Sequence, residues 1–262
     1  MLDWYIFKKD IKRYFFTILK VVIVVFLVNE LSTCSQTVHS GLALLKQPIY
    51  HALFSKQREK VPLQSMQEIY TPYQDASPKS HMYINGYDII KTFVMTYQGY
   101  GRVGYMDVND ALIKGWYLSS MNKVYAREYK AIATHDLLVV FGQAAQPDVF
   151  KKLTFSHEEN LGIVSWPYEM RHMQPDFSNI HVISATRNVQ KGVSVLRKGD
   201  EVYMEGLLMD WGGTIQNPKR ELYYKTARSG HDISEQRAGG QLSGLCLQLY
   251  LTKLIVNGHV YQ

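Results

Sequence analysis

With 262 residues, 46% hydrophobic and 20% charged, the chain has the composition of a folded protein, which excludes wholesale disorder. The net charge of +6 is scattered, with no basic stripe interleaved with aromatics, so nucleic acid is not an expected partner. Two cysteines, Cys34 and Cys246, are too few for a disulfide framework or a metal knot.

The chain opens with Lys8, Lys9, Lys12 and Arg13 ahead of an apolar run, Tyr14 to Val28, interrupted by Thr17 and Lys20. At about 1.5 Å per residue this run is shorter than a hydrocarbon core of roughly 30 Å. Extension through Asn29, Glu30 and Leu31 gives a span of adequate length with polar ends. Residues 1–34 therefore read as a cytoplasmic tip and transmembrane signal anchor. The basic cluster before the span places the N-terminus in the cytoplasm and the rest of the chain in the periplasm, as a single-pass inner-membrane protein. Leu31-Ser32-Thr33-Cys34 is lipobox-like, so lipidation of Cys34 is the alternative fate of this end. Lys20 either snorkels to the head groups or pairs with an acidic group of a partner helix. With Asn29 and Glu30 it marks the candidate contact to protein partners inside the membrane.

Val38, Leu42, Leu45, Ile49 and Leu53 recur at helical spacing. They predict an amphipathic juxtamembrane helix within residues 35–57. Residues 58–82, with Pro62, Pro72 and Pro78, read as a linker. From residue 83 to 262 the signals are mainly those of strands. Tyr87, Ile89, Phe93, Met95 and Tyr97 alternate up to Gly99, and Leu137 to Phe141 is a short buried strand. A short helix is expected over Asp148 to Leu153 and another over Asn188 to Leu196. Glu201 to Trp211 and Leu245 to Thr252 are strands, and Asn257-Gly258 is a turn. The expected fold is α+β: a transmembrane helix and a juxtamembrane helix, then a β-rich, barrel- or sandwich-like periplasmic domain.

Motifs of chemistry are sparse. Gly99-Tyr-Gly101-Arg-Val-Gly104 matches GxGxxG, but no βαβ series follows, so it reads as a hairpin tip. Ser65 with the Lys198-Gly199-Asp200 turn is similar to the Ser–Lys signal peptidases, yet Ser65 lies in the linker. No HExxH, CxxC or GxSxG occurs, and no metal or cofactor is expected. His181, in the apolar stretch Asn179-Ile-His-Val-Ile-Ser184, is the histidine of interest. Asp136, Asp210 and Arg228 are the charged groups that would accompany it in a hydrolase.

Four stretches resemble an uncharacterised family of proteobacterial membrane-anchored envelope proteins. Its patterns are DLxLxWG, NxHxIPA, RxGDxVxxxGxLV and SSxTRxDxGxGACE. Asp136 to Gly142 is similar to the first, and Asn179 to Ala185 to the second, with Ser184 in place of proline. Arg197 to Leu208 is similar to the third. Lys225 to Arg228 and Gly244 to Leu247 are similar to the fourth, with Leu247 where the family has an acid. The resemblance spans about residues 83–256 and implies an envelope domain of unassigned role. The departures in the fourth stretch weigh against a reactive site there.

The expectation from sequence is a non-enzymatic structural or interaction component of a membrane assembly. The alternatives are a periplasmic hydrolase centred on His181 and an OB-like ligand-binding domain. No small-molecule substrate is identified.

Overall fold

The computed structural model describes residues 46–73, 79–108, 131–158, 161–173, 175–214, 221–226, 233–237, 241–244 and 246–262. Outside them lie the expected span with Lys20, Asn29, Glu30 and Cys34, and also Arg228. Among the described residues no helix is long and apolar enough to cross a membrane. Residues 46–262 form one compact unit.

The unit is β-rich. Its strands are β1 (Glu68–Pro72), β2 (Ser80–Ile84), β3 (Tyr87–Val108), β4 (His135–Phe141), β5 (Thr154–Glu158), β6 (Leu161–Ser165) and β7 (Asp176–Ser184). They continue with β8 (Glu201–Thr214), β9 (Glu221–Tyr224), β10 (Ile233–Arg237), β11 (Gln241–Gly244), β12 (Cys246–Val256) and β13 (His259–Tyr261). The helices are short: α1 (46–54), α2 (Pro147–Phe150) and α3 (Arg187–Val193).

Five strands close on themselves in the order β3-β4-β7-β12-β8-β3, with β7 and β12 parallel and the other pairs antiparallel. Numbered by their order in the chain, the barrel strands run 1-2-3-5-4-1, with α3 between the third and fourth. This is the connectivity of an OB-type Greek-key barrel. Alternation decides which residues face inward. Leu137, Val139 and Phe141, Ile180 and Val182, and Leu247, Leu249 and Leu251 all enter the central core. Their neighbours on β4, β7 and β12 therefore project from the outer face.

β3 is the long strand that bends to serve both edges. It pairs β8 over Ile90–Arg102 and β4 over Arg102–Val108, with register shifts at Phe93/Met95 and Val103/Tyr105. The GxGxxG stretch lies inside this strand and is not a hairpin tip. A Cβ at Gly101 would stand 2.5 Å from the Val140 carbonyl oxygen, so only glycine lets β3 close on β4 there.

The stretch expected as a linker contributes β1 and β2, both paired along β3. An edge strand tolerates Pro72 because one side of it makes no ladder. The four strands β10-β11-β6-β5 form a second sheet, built from the β4–β7 and β8–β12 connections. Asp200 of the Gly-Asp turn is structural. Its carboxylate accepts from Gln47 Nε2 at 2.8 Å, Arg197 N at 2.8 Å and Asn257 Nδ2 at 2.9 Å, tying α1 and the β12–β13 hairpin to the barrel.

Glu68 reaches Tyr97, a residue of the core. It accepts from Tyr97 Oη at 2.7 Å and from Ser178 Oγ at 2.8 Å. Burial raises its carboxyl from the usual 4.5 to about 7, against the lowering effect of these hydrogen bonds. A carboxyl raised on folding contributes stability that is complete below its ordinary value and lost as pH rises through about 7. Glu68→Gln keeps the hydrogen-bonding shape and removes the charge. At pH 8.5 its melting temperature is expected to exceed wild type by about 2–4 °C, with no gain at pH 5, as read by calorimetry.

Candidate active site

Between two apolar clusters on the outer face of β4, β7 and β12 runs a buried polar row. One cluster holds Leu138, Val140, Val164 and Phe177; the other holds Ile183, Met209 and Trp211. Register sets the row. Asp136 is opposite His181, which is opposite Gln248; Leu138 is opposite Asn179, which is opposite Cys246. Side chains directly opposite on one face are in contact range.

Asp136 and His181 are enclosed, at 0% and 3% exposure, whereas Cys246 is only partly buried. The Asp136 Oδ1 oxygen is hydrogen-bonded to His181 Nδ1. Cys246, diagonal to His181 across the β7–β12 pair, is close enough to favour the charged form of the same imidazole. Asn179 Nδ2 lies 3.1 Å from Cys246 Sγ. Burial alone would push the imidazole down. The Asp136 carboxylate, by charge and hydrogen bond, and Cys246 outweigh it and push His181 from 6.5 up to about 10.

The floor and walls are tightly built. β6 passes over the row so closely that a Cβ on Gly162 would meet Leu138 Cδ1 at 2.8 Å and Asn179 Cγ at 3.2 Å. On the other side Gln248 Oε1 accepts from Trp211 Nε1 at 3.1 Å, and Trp211 stacks on Tyr224 with ring centroids 4.6 Å apart. Thr226 Oγ1 accepts from Gln248 N at 3.0 Å, and Asp210 Oδ1 accepts from Thr226 N at 3.0 Å.

The structure thus unites Asp136 with His181 and gives Asp210 a wall role through Thr226. It also adds Cys246 and Asn179, neither of which sequence reasoning placed in the site. A partly buried thiol, an enclosed imidazole beside it and a carboxylate orienting that imidazole form the arrangement of an activated nucleophile. The carboxylate holds the imidazole in its charged form, and that charge can stabilise a thiolate at Sγ. The Asn179 amide can donate to an oxygen that gains charge next to Sγ. Among the described residues no group of three or more His, Cys, Asp or Glu is set to hold a metal ion.

No family model, curated protein or solved structure matches this chain.

Proposed function

We propose that the chain is a membrane-anchored periplasmic protein whose barrel hydrolyses or transfers acyl groups through Cys246. The observation that carries this is the convergence of Asp136, His181 and Cys246, from three strands, on one face of the barrel. In the proposed step Sγ attacks a carbonyl carbon as a thiolate paired with the His181 imidazolium. The Asn179 amide donates to the developing oxyanion. The C–X bond then breaks, the leaving group departs with the proton from His181, and a thioester remains on Cys246. Water, giving its proton to the now neutral His181, releases the acyl group and restores the thiolate–imidazolium pair.

Three considerations support this over a purely structural role. An enclosed carboxylate–imidazole pair is a poor stabiliser compared with apolar side chains of equal volume, so its presence calls for another use. Strongly raised titratable groups beside a reachable nucleophile mark functional sites. The row also lies on the second and third strands of an OB-type barrel, the face such barrels use for extended polymers; this last point is analogy of fold. The stretches of family resemblance supply Asp136, His181 and Cys246 alike.

The test is acyl trapping. Full-length protein in detergent, treated with p-nitrophenyl acetate, is expected to carry an acetyl group on the Cys246 peptide that hydroxylamine removes. Cys246→Ser should carry none. Acetylation of Cys246 no faster in the native chain than in the urea-unfolded chain would overturn the proposal.

A further inference from the structure

We propose that α1 lies on the bilayer as a docking strip for anionic phospholipid head groups, holding the barrel against the membrane. This rests on the reading of residues 1–34 as a membrane anchor.

At 100° per residue, the α1 helix divides into two sides. One side packs on the barrel: Gln47 is buried, His51 Nδ1 is 2.6 Å from Tyr261 Oη, and Phe54 packs against the central core. The opposite side is apolar and open. Ile49 is 57% and Leu53 68% exposed, with Pro48 and Ala52 beside them also exposed. Two large aliphatic side chains one turn apart, open beside a well-filled core, form a narrow apolar strip.

Charge says which surface. On one flank Lys191 Nζ lies 5.4 Å from the Tyr50 ring centre and 5.7 Å from that of Phe54, with Lys46 close enough to feel its charge. On the other flank a cavity of about 510 Å³ is lined by His51, Ser55, Lys56, Arg58 and His259. Arg58 Nη2 is 3.4 Å from His259 Nε2, and the His51 and His259 rings stack with centroids 3.8 Å apart. The nearby carboxylates are already engaged: Glu59 by Lys253 at 2.6 Å, and Asp200 by Gln47 beneath the helix. An apolar ridge flanked by such cations matches an acyl-chain boundary below and phosphate groups beside it. The cavity donors suit one phosphate.

Chain length allows it. At most about 40 Å of extended chain separates Cys34 from Lys46, so a span ending near Cys34 keeps α1 within reach of the same leaflet. Tethering supplies a high effective concentration, so the strip need not bind membranes tightly by itself.

The test uses full-length protein in nanodiscs, with a photo-crosslinking benzophenone residue in place of Leu53 or, as control, of Tyr168, which is 76% exposed on the β6–β7 connection. Position 53 is expected to crosslink lipid at least fivefold more than position 168 in phosphatidylcholine–phosphatidylglycerol discs. The yield should fall severalfold in pure phosphatidylcholine and with Lys56→Glu plus Arg58→Glu. Equal yields at the two positions, or crosslinks from position 53 to protein only, would overturn the docking while leaving the anchor intact. Protein that stays soluble without discs or detergent would overturn the anchor reading itself.

Discussion

Alkylation of Cys246 by iodoacetamide at pH 7 is expected to slow at least tenfold when His181 becomes Gln. Alkylation needs the thiolate, and a thiol without a cation beside it is mostly protonated at this pH. In the native chain the imidazole next to Cys246 is held charged by Asp136. Gln fills similar space and can still hydrogen-bond Asp136, but it carries no charge, so the substitution separates charge from packing. Peptide-resolved mass spectrometry gives the rate at Cys246, and the Cys34 peptide should alkylate equally in both proteins. Asn179→Ala gives the complementary readout. It removes the donor 3.1 Å from Sγ and should leave alkylation, which builds no oxyanion, within about threefold while slowing acylation more than tenfold. Rates at Cys246 that are unchanged by His181→Gln would mean that no imidazolium charge holds the thiolate, and would remove the mechanism.

How far these features were legible in the sequence depended on what each residue's neighbours reveal. The last long strand was plain because Leu247, Leu249 and Leu251 alternate, and all three do enter the barrel core. The Asn257-Gly258 turn was plain because both residues take positive φ, at 48° and 86°, where Asn and Gly are the common occupants. Gly99 to Gly104 was misread because a glycine marks a turn and a close strand crossing alike; only the Val140 carbonyl facing Gly101 tells them apart. Prolines 62, 72 and 78 suggested a linker, and edge strands are the other place where prolines are tolerated.

The site divides the same way. Asp136 and His181 stood out singly, but their pairing spans 45 residues and the Asn179–Cys246 contact 67. Such pairings follow from the antiparallel β4–β7 and parallel β7–β12 registers, which no local pattern encodes. The departure of Leu247 from the family pattern weighs, in sequence, against a reactive Cys246. Leu247 points into the core, however, so its identity bears on barrel packing and not on the face that carries the thiol.

Removing the carboxylate should show that this row is held at the expense of stability. Asp136→Ala is expected to destabilise the barrel by about 3–5 kcal/mol near neutral pH, since it leaves an enclosed imidazolium without its counter-charge. For a unit of this size that corresponds to a fall in melting temperature of roughly 10 °C. The pH dependence fixes the cause. His181 is raised from 6.5 to about 10 on folding, so its contribution is complete below 6.5 and is lost as pH rises through about 10. The gap between wild type and Asp136→Ala should therefore be widest at pH 6 and narrow steadily towards pH 10, in denaturant titrations across that range. Asp136→Asn, which keeps a hydrogen-bond acceptor at Nδ1 but no charge, should lose the same pH dependence at a smaller cost in folding. A gap constant from pH 6 to pH 10 would mean that Asp136 acts by packing alone. His181 would then be neutral in the folded protein, and no imidazolium would stand beside Cys246 to hold its thiolate.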